Sequence, residues 1–112
     1  MASLRAIGAL VTAFAIGLFA YAAHAKLSID ARALVENAAF FGFGHGIATV
    51  CLAAEQRPLA RIAICLVGAG TVLFSASLLA KALFHWTAHA APIGGSVMIL
   101  GWLVYALDAV RR

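Results

Sequence analysis

Acidic residues are nearly missing from this chain: Asp and Glu together number 4 in 112 residues, against 8 Lys and Arg. Charged residues make up only 11%, where soluble domains average about 25%, so the chain cannot clothe a water-facing surface. An ordinary soluble enzyme, a disordered tail and a nucleic-acid-binding module are excluded together. Cysteine is scarce as well. Cys51 and Cys65 lie in separate apolar runs without a CxxC spacing, which excludes a disulfide scaffold and marks both as packing residues. No Rossmann fingerprint, phosphate loop or nucleophile–base constellation occurs, so the chain is expected not to be an enzyme and to need no cofactor.

What fills the chain instead is apolar: 65% of it. The few charges segment it. Charge-free stretches run over 6–25, 37–54, 62–80 and 82–107, and a membrane-spanning helix needs about 20 mainly apolar residues. The first three fit that length. Pro92 divides the fourth, leaving His85 to Ala91 as a connection. The runs are continuous rather than alternating, which excludes lipid-facing strands, and backbone groups in hydrocarbon must pair internally. The expectation is an all-α integral membrane protein, a four-transmembrane-helix bundle with short loops. It forms one domain over 1–112, with helices near 6–25, 29–54, 62–82 and 92–109.

Ser28 or Asp30 is placed to cap the second helix, and Arg57-Pro58 marks the sharpest connection. Ala23-His24-Ala25 resembles a signal-peptide cleavage site. The preceding apolar run exceeds the usual core of about 7–15 residues, so the segment is read as a retained span. With four spans, Arg5, Arg57, Arg61, Arg111 and Arg112 share one side, against Lys26, Arg32 and Lys81 on the other. The positive-inside rule then puts both termini in the cytoplasm. The net charge of +4 calls for anionic lipid rather than nucleic acid as its partner.

Small residues recur where helix backbones could approach: Gly42 and Gly46 in the second helix, Ser75 and Ser77 in the third, Gly94, Gly95 and Gly101 in the fourth. In lipid such positions mark packing interfaces, within the chain or toward another. Gly94 and Gly95 are expected to let the Ser75/Ser77 face come close. Tyr21, Trp86, Trp102 and Tyr105 are read as interfacial anchors. His45 is the one ionisable residue expected deep in a span, hence the intramembrane polar candidate. Its plainer reading is a neutral imidazole hydrogen-bonded to a neighbouring hydroxyl or carbonyl.

His24, His85 and His89 fall on the opposite side from the termini and could ligate a metal, but no carboxylate or thiolate motif accompanies them, and they are read as polar interface residues. A haem shared by His24 and His45 fails on depth, since the two differ by roughly 13 Å along the helices. Glu36 and Asp108 are placed at helix ends, where water or headgroups solvate them. No carboxylate lies within a run, which argues against proton-coupled antiport.

The strings Leu73-Phe74-Ser75-Ala76-Ser77-Leu78-Leu79, Pro92-Ile93-Gly94-Gly95 and Gly101-Trp102-Leu103 resemble domain-of-unknown-function family 423. This is a family of small bacterial inner-membrane proteins similar to the transmembrane protein 256 group. Ala23-His24, Glu36 and His45 follow the same pattern. Ala76 stands for the usual glycine, Ala91 for the usual threonine, and Phe40 to Gly46 is richer in Phe and Gly than members generally are. The resemblance implies a four-helix inner-membrane protein and brings no catalytic residue. The function expected is a non-catalytic accessory or assembly subunit packing against another membrane chain or a second copy, within the lipid bilayer. The alternative is a small oligomeric channel or transporter.

Overall fold

In the computed structural model, residues 2–112 are described, with side chains from Ser3 onward. They form four helices: α1 (Ala2–His24), α2 (Ile29–Leu52), α3 (Pro58–Phe84) and α4 (Ala90–Arg111). The helices overrun the apolar stretches because their end turns reach into the polar flanks. α3 begins at Pro58 rather than near 62, since proline at the first helical position has its φ preset and lacks only an N–H that would have no partner there. At α2 the expected cap is Ser28, whose hydroxyl accepts from the Ala31 N–H at 3.1 Å. Asp30 occupies the first turn, where its charge suits the helix dipole. α3 ends on His85, which adopts the left-handed conformation (φ 59°) while its N–H returns to the Lys81 carbonyl.

Each helix packs on the next in the chain, α1 on α2, α2 on α3 and α3 on α4. The resulting body is long and thin, 48 × 25 × 19 Å. One end carries the helix ends 2 and 111 and the α2–α3 connection; it is called the terminal end below. The far end carries the α1–α2 and α3–α4 connections. At the far end Ala22, Val35 and Ala82 bring α1, α2 and α3 into one cluster, with Leu18 and Leu79 packed against it. Beside it Ala38, Leu78 and Ala91 join α2, α3 and α4.

Three of the four helices, α1 (from Ser3), α3 and α4, are long and apolar enough to cross a membrane. α2 is not among them. Its first turns carry Asp30, Arg32 and Glu36, and Asn37, His45, Thr49 and three glycines dilute the rest. The 37–54 run is free of charge, but freedom from charge is a weaker condition than hydropathy. α2 lies between α1 and α3, with Val35, Ala38, Ala39, Gly42, Gly46 and Thr49 buried, while Asp30, Glu36 and Asn37 stay exposed.

Candidate functional site

The close contacts between helices come first, because they decide which small residues are free. Between α1 and α2, a Cβ on Gly8 would stand 2.8 Å from the Gly46 carbonyl oxygen, and one on Gly46 would collide with the Thr12 hydroxyl. Between α3 and α4, a Cβ on Gly70 would meet the Gly94 carbonyl at 2.7 Å, and one on Gly94 the Phe74 amide at 2.6 Å. One turn pair further, a Cβ on Gly101 would meet the Val67 amide at 2.8 Å. Backbones this close require glycine. Gly46, Gly94 and Gly101 are therefore occupied inside the chain.

The remaining small candidates are placed differently. Gly42 is buried in ordinary contact with Ala15. Gly95 touches only the edge of the Phe74 ring, at 3.8 Å, so the close approach in that pair belongs to Gly94 alone. It meets Gly70 and Phe74, not the serines. Ser75 faces the other way and donates to the Ala38 carbonyl of α2 at 2.9 Å. Ser77 is half-buried and makes no side-chain hydrogen bond among the described residues. The expected contact between the Gly94/Gly95 turn and the Ser75/Ser77 face does not form. A helix presents residues seven apart to one neighbour, and Gly70 follows Ala63 on the α4-facing side while Ser75 falls on the α2-facing side.

His45 has both ring nitrogens engaged. Nδ1 lies 2.9 Å from the Phe41 carbonyl, and the Trp102 indole N–H donates to Nε2 at 3.0 Å. Indole N–H can only donate and a carbonyl can only accept, so the imidazole is neutral with its proton on Nδ1. Trp102 is thus not the interfacial anchor expected of it: it lies mid-helix and ties α4 to α2. Phe41 stacks on His45, with Phe74 edge-on to Phe41 and Tyr105 edge-on to Trp102.

The terminal end holds a charged cluster that the sequence did not announce. Asp108, expected to be solvated, is 3% exposed. Arg57 Nε donates to both of its oxygens, at 3.1 and 3.0 Å, and Arg112 donates from Nε at 3.2 Å and from its terminal nitrogen at 3.0 Å. Arg112 also reaches Glu55 at 2.7 Å and lies over the Tyr105 ring. The Arg57 backbone N–H holds the Glu55 carboxyl below its ordinary value, against a smaller opposing effect of burial, and Arg112 adds to the lowering. Arg112 is raised in turn, chiefly by its hydrogen bond to Asp108. The i,i+4 spacing of Asp108 and Arg112 was the available signal; the partner in the α2–α3 connection was not.

At the far end, Ser28, Asp30, Lys81, His85, Trp86 and His89 surround an open cavity of about 560 Å³. Among the described residues no three His, Cys, Asp or Glu side chains come together as a metal site, and His24 is not part of this cavity's wall. A longer groove runs between α1 and α3 over a floor of α2, in two overlapping sections of about 350 and 560 Å³. Its walls are apolar, Phe14 and Cys65 among them, except for Thr49, Thr71, Ser75 and His45.

An all-helical chain with three membrane-length apolar helices is the class that these observations define. The model of one family, described as a protein of unknown function, DUF423, matches residues 6–95, and the chain belongs to that family. No solved structure matches the chain.

Proposed function

We propose that this chain is a non-catalytic, four-span protein of the bacterial inner membrane, an accessory or assembly subunit whose outer α1 face packs against another membrane chain or a second copy. One observation carries this reading. Ala6, Ala9, Ala13, Gly17 and Ala20 recur at helical spacing along α1, all exposed, and a Cβ on Gly17 would meet nothing within 4 Å. Small stripes of this kind let helices approach closely in lipid; Gly8, Gly46, Gly70, Gly94 and Gly101 are engaged within the chain, while Gly44 and Gly68 also face open space. α1 is also the least enclosed of the three apolar helices, with 17% of its span buried. α2 completes the fourth span under the cover of its neighbours. The five arginines at the terminal end favour the cytoplasm for both termini.

Geometry gives the channel or transporter less support. His45, Thr49, Thr71 and Ser75 each spend their polar atoms on a carbonyl or an indole within the chain, which leaves no row of free groups to replace a solute's hydration.

Co-purification from gently solubilised membranes tests the reading. Wild-type chain should bring a stoichiometric partner or a second copy, and the double variant Ala13→Leu/Gly17→Leu should lose it with an unchanged melting temperature. A wild-type chain that is monomeric and alone overturns the proposal.

A further inference from the structure

The α1–α3 groove reaches Leu18 and Leu79 at the far end, which pack onto the Ala22, Val35 and Ala82 cluster. It runs from there to Leu4 and Ile64, some 14 residues along α1 from Leu18, or about 21 Å at helical rise. One leaflet of a bilayer's hydrocarbon is about 15 Å deep. The groove is long enough for an extended hydrocarbon chain.

Its chemistry agrees. The hydroxyls along the wall are turned back onto carbonyls: Thr71 onto Val67, Thr49 onto His45 and Ser75 onto Ala38. Nothing in it asks for a polar occupant. At the open, terminal end the wall continues through Cys65 and Ala69 to Arg61. Arg57 and Arg112 at this end are held by Asp108 and Glu55. Arg61 has no carboxylate partner among the described residues; its one hydrogen bond, at 3.4 Å, goes to the Glu55 backbone carbonyl. Its remaining guanidinium donors are left for an anion, and the fork geometry suits a phosphate.

We propose that the groove is a lipid site: it holds one acyl chain of an anionic glycerophospholipid whose phosphate sits on Arg61. The site is independent of the outer face of α1, so either proposal can fail alone.

Native mass spectrometry of the full chain, released from detergent with equimolar phosphatidylglycerol and phosphatidylcholine, tests this. Wild type should retain one lipid, phosphatidylglycerol over phosphatidylcholine by about fivefold, the scale of one basic residue near a membrane surface. Arg61→Gln should keep the lipid and lose the preference. Gly68→Leu should lose both lipids, since Gly68 lines the groove and a Cβ there meets open space, so the plug needs no backbone shift. Gly44→Leu, also into open space but outside the groove, should bind as wild type. Equal retention by wild type and Gly68→Leu overturns the proposal, as does a wild type without preference or one that binds glycerol phosphate as well as the lipid. A second copy displaced by Gly68→Leu in place of lipid overturns it too.

Discussion

The two helix pairs use the same device to different depths. α1 and α2 meet through one reciprocal glycine contact, Gly8 against Gly46. α3 and α4 meet at Gly70, Gly94 and Gly101, so their backbones stay close over two turns. The second pair is then closed at the terminal end by the Arg57–Asp108–Arg112 cluster. The difference teaches that α3 and α4 form the fixed part of the molecule, while α1 is held chiefly by α2 and keeps a whole face for something else.

Substitution at the glycines should break that contrast most severely. Gly94→Leu drives a side chain into the Phe74 backbone, which neither helix can yield without separating; overpacking of this kind costs about 3 kcal/mol, read as lost thermal stability in detergent. Gly95→Leu, only a turn's width away and facing a ring edge, should cost under about 1 kcal/mol. If the two variants melted alike, the seam would not be where the structure puts it. Gly46→Leu should free α1 alone, exposing it to protease while α3 and α4 stay paired.

The charged cluster comes next. Asp108→Asn removes the charge and one of the two acceptor oxygens shared by two guanidiniums that are themselves 45% and 38% exposed, so water and headgroups relieve part of the loss. The melting temperature should fall by several degrees, less than for Gly94→Leu. Glu55 adds a pH dependence. Its carboxyl is held below the ordinary 4.5 in the folded chain, so its contribution is present above that value and is lost as pH falls through the lowered one. Stability should be level above about pH 5 and decline in acid, and Glu55→Gln should make that limb shallower, the paired Asp108 keeping the rest.

The smallest effect sharpens the comparison where the pairs touch. A double-mutant cycle of His45→Phe and Trp102→Phe should give a coupling of about 1 kcal/mol, the range of interhelical hydrogen bonds in membranes. A coupling near zero would mean that α2 and α4 are held apart from this bond.

The sequence already displayed the helices, because the charges that interrupt apolar runs are the same ones that end membrane-length helices. It also displayed Gly46, Gly94 and Gly101 as close-approach positions. It did not display which neighbour each would meet: Ser75 turned to α2, and Gly95 dropped out of the seam, because a helix's facing side depends on its partner's angle. Trp102 resembled an anchor by type, though its place well inside α4 spoke against that. Asp108 stayed hidden because a carboxylate near a helix end has two outcomes, solvation or pairing, and its partner Arg57 comes 51 residues earlier. The α1 stripe is faint in the sequence, alanine being so common in apolar helices that its spacing hardly stands out.

That distance of 51 residues carries a consequence for how the chain is made. The α2–α3 connection leaves the insertion machinery long before α4 does, with Arg57 waiting beside Glu55. Asp108 can reach it only if α4 runs back along α3 and brings its end beside the α2–α3 connection. A chain whose last helix failed to return would keep an unmatched arginine in its tight turn. The clasp thus closes the α3–α4 hairpin into a ring, its two ends joined through residues 51 positions apart.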